Sequence, residues 1–235
     1  MPTLLVLALS FALPLAITAV LVRDTRRAWR SLHLVRAGRY GEARRESERL
    51  ARSWLAVLPS IRSGARYAVA LTLHMEGAHD RALEALSTID RSRPDRSLTY
   101  AVGSLEATLL VLLDRDLDRA ARLLEGADPA LRLPEDFVIL AHARHGLGDP
   151  AAAEELLARA GVSRAGGPHH TAIFHTMRGL LLVKLGRDDE ALADLRAAAD
   201  VPLSSWYTER ARALLPPPDA DPDARSSLAP QVMDE

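Results

Sequence analysis

Two histidines, His142 and His145, come nearest in type and spacing to a metal site. They lie three residues apart, so on a helix they share one face and are able to bind a divalent cation together. Glu135 or the neighbouring pair His169 and His170 would supply further ligands, but no spacing in the sequence fixes a third one. The chain contains no His-Glu-x-x-His arrangement, the pattern of many zinc hydrolases. We therefore expect these histidines to lie on a surface or in a groove, and we predict no metal site.

An acidic cluster, Asp188, Asp189 and Glu190, is the second candidate for chemistry. It begins a predicted helix, where the helix dipole stabilises negative charge, so we expect a capping role. The sequence has no phosphate-binding loop, no Gly-x-Ser-x-Gly motif and no dinucleotide fingerprint. It also has no cysteine, which excludes disulfides, thiolate-bound metals and a cysteine nucleophile. The sequence therefore predicts neither an enzyme nor a cofactor.

Positive charge is concentrated near the N-terminus, because residues 23–66 contain 12 arginines and only four acidic residues. Arg23, Arg26, Arg27 and Arg30 directly follow an apolar run. Next to an anionic bilayer each such side chain gains about 1 kcal/mol, so lipid contact is our first interpretation. A plain topology signal is the second interpretation, and nucleic-acid binding is the third. We expect no nucleic-acid partner.

The apolar run extends from Leu4 to Val22 and contains 19 residues without a charge. At 1.5 Å per residue it nearly matches a hydrocarbon layer of about 30 Å, so it is predicted to be a transmembrane helix. By the positive-inside rule, the arginines that follow place residues 23–235 in the cytoplasm, which predicts a single-pass membrane protein. The alternatives are a signal sequence with an extracytoplasmic body, and a buried helix. No basic residue precedes the run and no small-x-small site follows it, which disfavours a cleaved signal.

The elements that position these residues are predicted from a repeated step of five residues that leads from a glycine to an alanine. It recurs at Gly38 to Ala43, Gly77 to Ala82, Gly148 to Ala153 and Gly186 to Ala191, with a copy lacking glycine from Arg115 to Ala120. The alanines are 33 to 39 residues apart, a period typical of helical solenoids. The predicted helices cover residues 23–37, 40–58, 61–76, 81–89, 97–113, 117–125, 135–147, 151–160, 172–185, 188–199 and, as a cap, 203–215.

These repeats resemble the tetratricopeptide repeat (TPR) family over residues 24–215. Aligned on the turn glycine Gly186, the family's second-helix alanines fall on Ala191 and Ala198. The other matching positions in the three best copies are Gly179, Leu182, Leu195, Ala70, Leu73, Ala82, Leu86, Pro94, Phe137, Leu140, Ala141, Ala153, Leu157 and Ala160.

Together with the apolar run, the resemblance implies an all-α fold class. An N-terminal transmembrane helix would be followed by a right-handed TPR-like α-solenoid of about five helix pairs and a capping helix. The predicted domains are an anchor over residues 1–22, the repeats over residues 23–215 and a disordered tail over residues 216–235, which is rich in Pro and Asp.

In the TPR family the first helices of the repeats build a concave groove that binds peptides or partner proteins. Carried over by register, the groove candidates are Tyr67, Leu71, His74, Met75, Glu135, Val138, His142, His145, Thr176, Leu180 and Lys184. Some family members clamp a carboxylate there with Lys, Arg and Asn, whereas this sequence has His and aliphatic residues. We therefore expect an apolar, mildly titratable groove rather than a carboxylate clamp.

The function that these expectations favour is a membrane-anchored scaffold or adaptor that binds a partner protein or peptide in its groove. An extracytoplasmic TPR chaperone or assembly factor is the first alternative. A regulatory subunit of an envelope enzyme complex is the second. A metal-dependent enzyme is the least favoured. The sequence does not identify the partner.

Overall fold

The chain forms helices where apolar residues recur at helical spacing, and turns where glycine or proline interrupts them. The computed structural model describes residues 22–24, 26–27, 29–31, 33–35, 37–53, 58–90, 96–161 and 167–216. Besides helical residues between positions 22 and 35, these residues form ten helices: α1 (Tyr40–Ala51), α2 (Pro59–Met75), α3 (His79–Ser87), α4 (Arg96–Leu112), α5 (Leu117–Glu125), α6 (Pro134–Gly146), α7 (Pro150–Ala160), α8 (Pro168–Lys184), α9 (Asp188–Ala199) and α10 (Trp206–Leu214). The described residues contain no strand, which confirms the all-helical part of the predicted fold class.

The structure corrects one part of the predicted fold class, the transmembrane helix. No helix in the described part of the chain is long and apolar enough to cross a membrane. The longest, α2, α4 and α8, have 17 residues each, which is short of the roughly 20 apolar residues that a span requires. The predicted anchor over residues 1–22 lies outside the described residues except for Val22, and the predicted tail over residues 216–235 does so except for Pro216.

The repeated alanines occupy equivalent places in the interior. Ala43, Ala82, Ala120, Ala153 and Ala191 are all fully buried. They are small because neighbouring helices approach closely there, as at the crossing of α8 and α9. A Cβ atom added to Gly179 at that crossing would lie 3.0 Å from the Leu195 side chain. The packed helix pairs are compatible with an α-solenoid.

The turns of the repeats use residues that tolerate a positive φ angle. Four glycines take this conformation at the predicted positions: Gly38 (φ +71°), Gly77 (+83°), Gly148 (+83°) and Gly186 (+71°). In the copy that lacks glycine, Asp114 and Asp116 adopt φ angles of 49° and 41°. Aspartate is one of the few L-residues that enter this region readily, because its side chain bonds locally. The Asp116 carboxylate accepts a hydrogen bond from the Arg119 backbone N–H at 3.2 Å and so begins α5.

Several helix ends differ from the predicted ones. Helix α1 ends at Ala51 instead of residue 58, and α8 begins at Pro168 instead of residue 172. Proline is favoured in the first turn because its missing N–H would be unpaired there, which explains why α8 extends back to it. The predicted capping helix is present as α10, although it begins only at Trp206.

The two ends of the array lie against each other. The Tyr40 hydroxyl in α1 is 3.0 Å from Nδ1 of His169 in α8. The Tyr207 hydroxyl in α10 is 2.7 Å from Nε2 of His74 in α2. Thr176 in α8 donates a hydrogen bond to the Tyr207 carbonyl oxygen at 3.2 Å. Helix α10 therefore fills the space between α2 and α8 and closes the array.

Because α10 packs against one of the turns, the glycine of that turn has less space for a side chain than an equivalent turn glycine has. A Cβ atom on Gly77 would lie 2.5 Å from Cδ1 of Trp206, whereas one on Gly148, at the same φ, would meet nothing within 4 Å. We expect Gly148→Ala to lower the unfolding free energy by about 1–2 kcal/mol, the cost of a positive φ. Gly77→Ala should cost about 1–3 kcal/mol more, because Trp206 has to move. Urea denaturation of both variants measures the difference, and equal losses would show that Trp206 does not pack on this turn.

Candidate functional site

The residues predicted to line an open groove are mostly inside the structure. Seven of the eleven are buried, namely His74, Met75, Glu135, Val138, His142, Thr176 and Leu180. Of the other four, Lys184 is exposed, and Tyr67, Leu71 and His145 are half-buried. Most of the predicted groove is therefore not an open surface in the structure.

Helix α10 covers the part of this inner surface that contains His74 and Thr176. Tyr207 is fully buried and bonds to α2 and α8, as described above. Trp206 packs edge-on against the ring of His79, with ring centroids 4.7 Å apart. Burial, together with the nearby His79, lowers the pKa of His74 to about 3, so its imidazole is neutral in the folded chain.

Three of the four histidines that suggested metal binding, His142, His169 and His170, form hydrogen bonds to other residues of the chain. His142 Nε2 donates a hydrogen bond to the Met177 carbonyl oxygen at 2.7 Å, and burial lowers the pKa of His142 to about 3. His170 hydrogen-bonds to Glu135, and this bond raises the pKa of His170. The described residues hold no group of three or more side chains that could bind a metal ion together.

The acidic cluster lies where the sequence analysis placed it. Asp188, Asp189 and Glu190 form the first turn of α9. Glu190 pairs with Arg187, whose guanidinium donates to both carboxylate oxygens at 2.8 and 2.7 Å. Arg187 also pairs with Glu154 of α7, so it links the acidic start of α9 to the neighbouring helix.

Two of the groove candidates line an open cavity instead. Tyr67 and Leu71 belong to a pocket of about 360 Å³ between the helical residues Ser31 and Val35, α1 and α2. Its lining residues are Ser31, Val35, Ser47, Leu50, Ile61, Gly64, Ala65, Tyr67, Ala68 and Leu71. We call this cavity the α1–α2 pocket.

The pocket exists because one face of α2 carries small residues. Gly64, Ala65 and Ala68 follow one another at helical spacing, with Ile61 and Leu71 at the two ends of the row. A Cβ atom added to Gly64 would meet nothing within 4 Å, so the space above this face is unfilled. The sequence contains this signal, but small residues in a helical repeat are usually explained by close helix crossings.

The two serine hydroxyl groups of the pocket are already paired. The hydroxyl groups of Ser31 and Ser47 are 2.7 Å apart, and the Ser31 hydroxyl also donates to the Ala43 carbonyl oxygen at 3.2 Å. Burial raises the pKa of Tyr67 to about 12, so its hydroxyl stays neutral at physiological pH. The pocket therefore offers an apolar surface without a buried charge.

Exposed arginines occur on the same segments that form the pocket. Arg26 and Arg30 precede Ser31, and Arg45 lies in α1. All three are exposed and form no ion pair with the described residues. Arg23 and Arg27 instead hold the buried carboxylate of Asp24, at 3.0 and 3.3 Å. An apolar cavity formed mostly by the arginine-rich segment 23–66 fits a ligand that combines apolar and acidic groups.

Two larger cavities have less suitable linings. One of about 580 Å³ between α3, α4 and α5 is lined by the ion pair of Glu106 and Arg119. Another of about 450 Å³ beside α4 and α5 includes Tyr100, whose hydroxyl donates to the buried Asp136 carboxylate. Burial raises the pKa of Asp136, and its oxygens accept hydrogen bonds that hold the start of α6. These polar groups serve the fold.

Comparisons with known proteins do not assign a function to this chain. No family model, no curated protein and no solved structure matches this chain. The resemblance to the TPR family stays a prediction that rests on the spacing of the repeat residues. The function of the chain has to follow from the chemistry of the α1–α2 pocket and its surroundings.

Proposed function

We propose that this chain is a helical-repeat scaffold that binds a segment of a partner protein, with one or two apolar side chains of that segment held in the α1–α2 pocket. The observation that carries the proposal is the unfilled, apolar pocket lined by Leu50, Ile61 and Leu71. Exposed apolar concavities of this kind often mark interaction sites, unlike single apolar side chains scattered over a surface. The TPR resemblance supports the same class of function.

The size of the pocket limits the affinity that it can supply. Burying one Leu or Phe side chain contributes about 1.5–3 kcal/mol. Binding at 1 μM requires about 8 kcal/mol, so one or two anchors in the pocket have to be joined by contacts along the neighbouring surface. We propose a transient interaction in the micromolar range, without a catalytic step.

The charge of the segments that form the pocket defines the second property of the partner. Residues 23–66 contain 12 arginines and four acidic residues, and this excess favours ion pairs with acidic residues of the partner segment. Such exposed pairs are screened by salt, with a Debye length near 8 Å at physiological ionic strength. We therefore propose an acidic partner segment whose affinity falls as salt is added. A chaperone, an assembly factor and a regulatory subunit would each use this surface in the same way.

Selection of peptides from a random display library on the full chain tests this function. We expect enriched peptides to contain Leu, Met or aromatic anchors flanked by Asp and Glu. Ala68→Trp fills the pocket and should weaken their binding about 30-fold, equivalent to about 2 kcal/mol and typical of losing one anchor. Fluorescence anisotropy with a selected peptide measures the change.

Ala197→Trp is the matched control for this substitution. Ala197 is also half-buried, but it lies in α9, away from the pocket. This variant should bind the peptide as the parent chain does. Peptides that bind both variants equally well would show that the α1–α2 pocket is not the binding site.

A further inference from the structure

The α1–α2 pocket has a suitable ligand within the same chain. We infer that the acidic segment 217–235 binds this pocket and competes there with the partner, an inference that rests on the proposed function of the pocket. The segment lies outside the described residues, and its composition and its point of attachment connect it to the pocket.

Its composition matches the chemistry that the pocket requires. Residues 217–235 contain five acidic residues and a single arginine. Their charged residues are Asp219, Asp221, Asp223, Arg225, Asp234 and Glu235. The apolar residues Leu228, Val232 and Met233 lie between the two acidic groups. Residues 23–66, which form most of the pocket, carry 12 arginines and four acidic residues, so the two segments have opposite net charge.

The segment is attached close enough to reach the pocket. It continues from Pro216, directly after α10, and α10 begins with Trp206 against Gly77 at the end of α2. Leu71, which lines the pocket, is six residues before Gly77, or about 9 Å along a helix. Helix α10 has nine residues and spans about 14 Å. Nineteen further residues reach up to about 65 Å when extended, so no helix has to move.

Attachment to the same chain makes even a weak contact effective. A short flexible tether gives an effective concentration in the millimolar range. A segment with an intrinsic dissociation constant of about 100 μM would then occupy the pocket about nine-tenths of the time. A partner would have to displace it, and its apparent affinity would be about tenfold lower than for an empty pocket.

Paramagnetic broadening in the full chain tests the contact directly. The chain has no cysteine, so Ser227→Cys introduces a single site for a nitroxide label. We expect the methyl signals of Leu50, Ile61 and Leu71 to broaden at least twofold, relative to the same sample with the nitroxide reduced. Leu182, buried in α8, is the internal control and should not broaden.

A variant of the segment separates a specific contact from chance encounters. Leu228→Asp combined with Val232→Asp, in the labelled chain, should abolish the broadening because the apolar anchors are lost. No broadening of the pocket methyls in the parent would overturn the inference. Broadening of equal size when label and isotope are on different molecules would also overturn it, because the ligand would then be a second copy.

The results distinguish this inference from the proposed function. If selected peptides bind the pocket but the labelled segment does not broaden the methyl signals of the pocket, the inference fails and the proposed function stands. If the labelled segment broadens the methyl signals of the pocket but no selected peptide depends on the pocket for binding, the proposed function fails and the contact within the chain stands. If both hold, the double Asp variant should bind the selected peptide about tenfold more tightly than the parent chain.

Discussion

Replacing Tyr207 with alanine is expected to lower the free energy of unfolding by about 4 kcal/mol. Tyr207 is fully buried in α10 and is bonded to His74 in α2 and Thr176 in α8. Its removal leaves a cavity between the two ends of the array and leaves Nε2 of the buried His74 without its partner. The loss can be measured by urea denaturation followed by circular dichroism.

Tyr207→Phe is the matched control for this prediction. It keeps the buried ring and removes only the hydroxyl that bonds to His74 Nε2. We expect a loss of about 1–3 kcal/mol, the cost of leaving a buried polar atom without its partner. If Tyr207→Ala cost less than 1 kcal/mol, α10 would be a peripheral cap rather than the element that closes the array.

Acidification from pH 6 to pH 4 is expected to remove roughly 5 kcal/mol of stability, comparable to the whole stability of many domains. His74 and His142 are buried, and burial lowers the pKa of each to about 3 in the folded chain, against 6.5 as the ordinary value. Between these values the unfolded chain binds more protons than the folded chain, so stability falls as the pH falls. Each histidine contributes a slope of about 1.4 kcal/mol per pH unit.

Other groups in the interior alter this profile in known directions. His79 and His169, whose pKa values are also lowered by burial, steepen the loss. Burial raises the pKa of Asp136, which opposes the loss near pH 4. The bond with Glu135 raises the pKa of His170, so its contribution is complete below pH 6.5 and is lost only as the pH rises above it.

His142→Gln isolates one of the two main contributions. Glutamine is able to donate to the Met177 carbonyl oxygen but does not titrate. Urea denaturation between pH 6 and pH 4 should show a slope that is smaller by about 1.4 kcal/mol per pH unit. An unchanged slope would mean that His142 is open to protonation in the folded chain.

The repeat architecture could be predicted because it is encoded locally. The five-residue step places Ala43 and Ala191 in the core and Gly77 in a left-handed turn, and each requirement acts within a few residues. The helices follow for the same reason, since their apolar residues recur at a period of 3.6. The copy without glycine works because Asp114 and Asp116 tolerate the turn.

The closure of the array could not be predicted in this way. Tyr40 and His169 are 129 residues apart, and His74 and Tyr207 are 133 residues apart. No periodicity specifies such a pair, because each partner is also compatible with an exposed position on its own helix. The register of the TPR family therefore assigned His74 and Thr176 to a groove, whereas α10 covers both.

The pocket was predicted only in part, and the membrane helix has been corrected. Tyr67 and Leu71 were assigned from register, but the small residues Gly64 and Ala68, which open the space, were not. The membrane helix was expected from the length and apolarity of the run from Leu4 to Val22 and from the arginines that follow it, whereas the described helices include none that could span a bilayer.

The closure of the array by α10 is tested most directly by nuclear Overhauser contacts between labelled histidine and tyrosine rings in the full chain. The structure predicts cross-peaks between the rings of His74 and Tyr207, whose centroids are 5.3 Å apart, and between those of Tyr40 and His169, at 5.8 Å. Cross-peaks from Tyr207 to α8 without any to His74 would contradict the account, because the array would then be open along its inner face.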